Sequence, residues 1–178
     1  MYQKFAMGIP LNRQESDFHR MGLILRRSNM AHWVMRCSDE WLTPIYNRIH
    51  EELFKYDMIH MDETRIQVNK EEGKSASSQL WIWVIQSGMH EVIKATFFHY
   101  SCTRGSSVLQ KLLNGFSGDL TTDAYIGYDK VEGIKRNLCW AHCRRYFVES
   151  IPLDNSGKEI PESKGAEGRE FISLLFKL

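Results

Sequence analysis

The stretch from Met58 to Tyr100 constrains this chain most. Three runs rich in β-branched and aromatic residues, Met58 to Val68, Leu80 to Ser87 and Glu91 to Tyr100, are separated by polar turns. Asn69 to Gln79, with Gly73 and three serines, reads as the longer turn, and Ser87-Gly88-Met89-His90 as a tight hairpin. Strands joined by turns this short run antiparallel. Downstream, the period changes: Val108, Leu109, Leu112, Leu113 and Phe116 recur at helical spacing within Gly105 to Phe116. Gly118 to Tyr125 then reads as a fourth strand and Ile134 to His142 as a fifth, with a short helical or turn segment around Tyr128 to Gly133 between them. A helix between two strands is a crossover, and a crossover gives a parallel neighbour. The expected fold class is therefore α/β, a mixed sheet of three antiparallel and two parallel strands in the order β-β-β-α-β-(α)-β, preceded by a small helical segment.

That segment reads as short amphipathic helices. Asn12 is placed to cap a helix through Arg20, with Gly22 at the C′ position, and Leu23 to Arg27 make a turn. Ser28 is a candidate N-cap for a second helix from Asn29 to Cys37, with Met30, Ala31, Val34 and Met35 inward. Ser38 restarts the pattern, and Trp41, Leu42, Ile45, Ile49 and Leu53 repeat at helical spacing up to Tyr56, with Pro44 near the first turn. Residues 1–37 carry 6 basic and 2 acidic side chains, whereas 38–63 carry 2 basic and 7 acidic, so a basic head precedes an acidic segment. A helix-turn-helix reading would set Arg26, Arg27 and Arg36 near DNA phosphates. The alternative is a helical bundle that props the sheet. Residues 1–56 form the helical segment on this reading, and 57–150 the sheet core. Residues 151–178 are a polar linker, Asp154 to Gly168, followed by the start of a helix at Arg169.

Composition excludes several classes. The longest uninterrupted apolar run, Leu80 to Ile85, is far short of the roughly 20 residues of a membrane span. The start has no apolar segment behind a basic one, so a cytoplasmic location is expected. Cys37, Cys102, Cys139 and Cys143 form no CxxC pair and read as reduced thiols. Three zinc ligands crowded into Cys139, His142 and Cys143, with no fourth nearby, suit a tetrahedral site poorly. The net charge of +1 argues neither for nor against nucleic acid.

Two aspartates draw the chemistry. Asp62 sits mid-strand in Met61-Asp62-Glu63-Thr64, and Asp123 ends the fourth strand in Thr121-Thr122-Asp123-Ala124. If those strands are parallel neighbours, both carboxylates converge at one sheet edge, where they repel unless a divalent cation lies between them. Oxygen donors alone suit Mg²⁺ or Mn²⁺, the ions of phosphodiester chemistry. The other reading has both aspartates capping turns or pairing with arginines. Strand alternation sends Glu63 to the opposite face, as a structural partner and not a metal ligand. Trp81 and Trp83 read as core. His142, Arg144 and Arg145 either face DNA near the active edge or lie on a solvated helix face.

Five blocks in register resemble the DDE transposases of the insertion-sequence-sixty-six family. Pro10-Leu11-Asn12-Arg13-Gln14-Glu15 with Gly22 and Trp33-Val34 match the segment ahead of the catalytic core. His60-Met61-Asp62-Glu63-Thr64, Leu80-Trp81-Ile82-Trp83-Val84, Gly118-Asp119-Leu120-Thr121-Thr122-Asp123-Ala124-Tyr125-Ile126-Gly127-Tyr128 and Cys139-Trp140-Ala141-His142-Cys143-Arg144-Arg145-Tyr146-Phe147 match the core itself.

The resemblance implies a ribonuclease H-like core in which Asp62 is the first metal-binding acid and Asp123 the second, with Mg²⁺ (or Mn²⁺) as cofactor. It implies DNA, both transposon ends and target, as partner and substrate, an oligomer of the chain, and no small-molecule substrate. The family's third acid, a glutamate in an Asn-Asn-x-x-Glu-Arg block, has no counterpart before Leu178. Glu149 and Glu170 sit in no matching motif. The chain is thus expected to be an internal fragment with little or no catalysis of its own. The alternatives are a non-catalytic DNA-binding or regulatory remnant, or a simple metal-dependent nuclease of the same fold.

Overall fold

A computed structural model describes residues 1–177, which divide into two compact units, Met1–Glu51 and the described residues from Glu52 onward. The first unit opens with α1 (Tyr2–Phe5) and α2 (Leu11–Arg20). Pro10, not Asn12, is the N-cap of α2, since its missing N–H costs nothing at a helix start. At the other end Gly22 takes φ +81°, and the Gly22 and Leu23 amides bond back to His19 and Phe18, closing the helix as the glycine suggested.

The next helix, α3 (Arg27–Cys37), departs from expectation at both ends. Its first amide, on Arg27, donates 2.9 Å to the Glu15 carboxylate of α2, so an acid from a neighbouring helix does the capping expected of Ser28. Nor does the helix stop at Ser38. A π-turn, Ser38–Leu42, carries it directly into α4 (Thr43–Leu53). Pro44 explains the π-turn: it offers no N–H and its ring crowds the carbonyl four residues back, and widening the preceding turn relieves both. The Thr43 amide and its hydroxyl, at 3.0 Å, both donate to the Ser38 carbonyl. The apolar stripe is buried less than its spacing predicts. Met30 and Leu53 are buried, but Met35, Trp41, Leu42 and Ile45 stay exposed.

The second unit is built on β1 (Met58–Ile66), β2 (Leu80–Ser87), β3 (Thr96–Ser101), β4 (Asp119–Thr122) and β5 (Lys135–Leu138). The strand order is β3-β2-β1-β4-β5, antiparallel from β1 through β3 and parallel from β1 through β5. This is the expected mixed α/β sheet, consistent with the ribonuclease H-like arrangement. Helix α5 (Ser106–Leu112) makes the crossover into β4, and a 3₁₀ turn, Ile126–Lys130, that into β5. Alternation fixes the faces: Met61 pairs with Ile85 and Ile59 with Leu120, so these side chains share one face, and all are buried.

Several boundaries differ from the sequence reading: β1 ends at Ile66, α5 at Leu112 and β4 at Thr122, each short of the expected end. The β2–β3 connection is not a tight turn, because Glu91 to Ala95 leave the ladder. The Ser87 hydroxyl accepts from the Ala95 amide at 3.0 Å, and the Lys94 ammonium caps the Gly88 and Met89 carbonyls, which stabilises the wider loop. The fifth strand ends at Leu138: the Cys139 amide makes one more bond, 2.8 Å to the Thr122 carbonyl, and the chain then turns into α6 (Trp140–Glu149). Helix α7 (Lys164–Leu175) begins inside the expected linker, its Ala166 amide capped by the Ser163 hydroxyl. Gly165 and Gly168 let α7 lie directly on α6, since a Cβ at either would collide with residues 147–151.

Candidate functional site

The ladder between β1 and β4 pairs Met58 with Asp119, Ile59 with Leu120 and His60 with Thr121. Carried two residues further, that register sets Asp62 opposite Asp123, just where β4 ends. Their local bonding is alike. Asp62 Oδ1 accepts from the Glu63 amide and Asp123 Oδ1 from the Tyr125 amide, each at 2.9 Å, which leaves Oδ2 of both carboxylates as the oxygen available to a cation.

Their surroundings differ. Asp62 is more than half exposed, and its Oδ2 lies 3.5 Å from His142 Nε2 on α6. The two share a cleft with His60, Gln86, Thr121 and Cys139. Asp123 is largely covered, and its Oδ2 lies 3.9 Å from Nη2 of Arg104, in the loop ahead of α5. That arginine belongs mainly to another acid. Glu63, with a side chain only 1% exposed, accepts from Arg104 Nε at 2.6 Å and again from Nη2, and its second oxygen accepts from the Tyr128 hydroxyl at 3.0 Å. Burial raises the Glu63 pKa, opposed by its hydrogen bonds from Arg104 and Tyr128. Burial also raises that of Tyr128, reinforced by the Glu63 charge. The Arg104 guanidinium stacks 3.8 Å over the Tyr125 ring and 5.0 Å over Trp81. On the far side of the Asp123 backbone, Arg136 donates to the Asp123 and Tyr125 carbonyls at 2.8 and 3.0 Å, which holds the chain after β4 in place.

Mg²⁺ commonly takes one or two carboxylates and completes its octahedron with water and substrate phosphate. Asp62 and Asp123, with one oxygen each left free of backbone amides, fit that donor set. Among the described residues no group of three His, Cys, Asp or Glu side chains is placed to hold an ion.

The basic residues fall in separate places. Arg26 is exposed and makes no ion pair among the described residues. Arg27 lies 4.0 Å from Glu15, and Arg36 is tied to Glu40 at 2.6 Å. Arg144 donates to Ser173 of α7 at 3.1 Å, whereas its neighbour Arg145 is exposed. All four cysteines are free.

The sequence profile of the family described as "Transposase IS66 family" matches residues 1–177. The chain belongs to this family. Three uncharacterized proteins of Sinorhizobium fredii (strain NBRC 101917 / NGR234) are similar to this IS66-family chain. They are y4hP, 27% identical over 89% of the chain and 30% of the relative, y4jD, 27% over 97% and 34%, and y4qI, 29% over 82% and 29%. The chain therefore spans about a third of the length of these relatives. No solved structure matches it. Among the described residues no helix is long and apolar enough to cross a membrane.

Arg104, Tyr125, Tyr128 and Arg136 escaped the sequence reading as site residues. Tyr125 and Tyr128 stand within the matching block around Asp123, but nothing in the sequence ties Arg104 to Glu63, 41 residues away.

Proposed function

We propose that this IS66-family chain carries the first two acids of a metal-dependent DNA transposase, which cleaves transposon ends and joins them to target DNA. The observation that supports this best is the parallel β1–β4 register, which, carried past its last pair, His60 with Thr121, brings Asp62 in the middle of β1 opposite Asp123 just beyond the end of β4. In this reading Asp62 and Asp123 hold Mg²⁺ (or Mn²⁺) through their Oδ2 atoms. A bound ion supplies Lewis-acid activation of a water or a 3′-hydroxyl and stabilises charge on the phosphate. His142 stands beside Asp62, where a phosphate of the cleaved strand would pass, and Arg145 supplies positive charge on the same helix. Arg144, Arg26, Arg27 and Arg36 add phosphate contacts, the last three from the helical segment 1–56 acting as a DNA-binding unit ahead of the catalytic core, 57–150. The protein works in the cytoplasm as an oligomer, because two ends must be brought together.

A second reading has one observation in its favour. No third acid joins the pair among the described residues, as in a DNA-binding remnant without catalysis. Calorimetric titration with Mn²⁺, wild type against Asp62→Asn and Asp123→Asn, followed by labelled transposon-end duplex, separates the two. Binding lost in both variants supports a shared metal site. DNA binding without metal binding favours the remnant, and Mn²⁺-dependent nicking without strand joining points to a nuclease.

A further inference from the structure

The buried carboxylate of Glu63 has no role in the reading above, yet it sits one residue after Asp62 and competes with Asp123 for the same arginine. A buried charge is retained at a cost unless it is paired, and this one is paired with Arg104 and hydrogen-bonded by Tyr128. Arg104 approaches Glu63 at 2.6 Å through Nε, with Nη2 also in contact, but stands 3.9 Å from Asp123. Stacking on Tyr125 and Trp81 fixes the plane of the guanidinium. The Tyr125 hydroxyl anchors the Arg104 backbone carbonyl at 2.9 Å, while the Tyr125 amide holds Asp123 Oδ1. One tyrosine thus sets both members of the 3.9 Å gap. A short, charge-assisted pair in a water-poor site outweighs a longer one at a wetter position.

We propose that Glu63 is a positioning residue that draws Arg104 away from Asp123, keeping the Asp123 Oδ2 atom open to a cation. This rests on the reading of Asp123 as a metal-binding acid. Without the Glu63 charge, Arg104 has one carboxylate left within reach and closes on Asp123. The arginine then occupies the oxygen that a metal needs.

Two measurements on the whole chain test this. In the first, calorimetry with Mn²⁺, Glu63→Gln weakens binding by about 10–100-fold, the range for lost outer partners of a metal ligand. The double variant Glu63→Gln/Arg104→Met restores binding, because no arginine remains to block Asp123. A double variant that binds no better than Glu63→Gln overturns the proposal. In the second, without metal, Asp123→Asn lowers the urea midpoint in the Glu63→Gln background, where Arg104 depends on it, and leaves it unchanged in the wild-type background. Equal shifts in both backgrounds overturn it. Tyr128→Phe, which removes one of the bonds holding Glu63 and keeps the ring, gives smaller changes of the same sign in both measurements and replaces Glu63→Gln if that variant does not fold. If the wild-type chain binds no Mn²⁺, the metal reading fails, and the urea measurement alone decides whether Glu63 holds Arg104 off Asp123.

Discussion

Replacing Gly165 and Gly168 with alanine, one at a time, tests how α7 is held against α6. In a helix interior, where Gly168 sits, alanine gains about 1 kcal/mol over glycine from propensity alone; at Gly165, in the first turn of α7, the gain is at most that. Against that stands the space each methyl would enter. At Gly165 it would lie 2.7 Å from the Ser150 hydroxyl, 2.9 Å from the Ile151 amide nitrogen and 2.9 Å from the Phe147 carbonyl oxygen. Two of those are backbone atoms at the end of α6, and they move only if the helix moves. At Gly168 the three nearest atoms all belong to the ring of Phe147, a side chain that is 37% exposed and can swing toward solvent. Overpacking costs about 1–3 kcal/mol where neighbours cannot yield. Taking the upper end for Gly165, the net loss is about 2 kcal/mol, whereas at Gly168 propensity and crowding roughly cancel. With a urea slope of about 2 kcal/mol per molar, Gly165→Ala lowers the midpoint by about 1 M and Gly168→Ala leaves it nearly unchanged. A larger loss at Gly168 than at Gly165 would refute the reasoning. The result bears on the site because α6 carries His142, and Arg144 of the same helix is fastened to Ser173 of α7.

Burial raises the Glu63 pKa above its ordinary 4.5, so the folded state holds that proton more tightly than the unfolded chain does. The stability this contributes is present below 4.5 and is lost as pH rises through the folded value; urea midpoints across the acidic range should therefore show a falling component that Glu63→Gln removes. Leu120, fully buried on β4 two residues before Thr122, should cost about 2–5 kcal/mol as alanine by thermal or urea unfolding. If residues 1–56 contact DNA, Arg26→Ala should reduce the slope of log affinity against log salt by about 0.9, measured by fluorescence anisotropy with a duplex. Arg36→Ala should reduce it less, since Glu40 already neutralises that side chain.

Elements whose signal was local were legible in the sequence. The β2 span, Leu80 to Ser87, needed only its run of aromatic and branched residues, and the Gly22 terminus only a residue at ease with positive φ. What the sequence hid was set by partners distant along the chain. Helix α3 begins where it does because Glu15 caps Arg27, and α7 begins early because Gly165 and Gly168 dock on α6, turning a stretch with loop composition into a packed helix. Pro44 was visible, but its effect was misjudged. A proline near an expected helix start reads as harmless, yet the helix had already begun at Arg27, so the backbone absorbed the proline with a π-turn instead of ending.

The site divides along the same line. Period-two alternation was enough to place Asp62 and Glu63 on opposite faces, and the crossover argument gave β4 a parallel neighbour, which the structure identifies as β1. Neither argument could foresee that the two faces meet again at the end of β4. There the chain leaves the ladder after Thr122, and Asp123 is no longer bound by strand alternation. Its carboxylate therefore lies within reach of Arg104, the partner of Glu63, while Asp62 lies beside His142. A pair of acids drawn from register alone thus carries a charge balance that register does not describe. One acid lies beside a histidine and the other beside an arginine, so if the pair holds a cation, that cation must compete with Arg104 unless Glu63 keeps the arginine occupied.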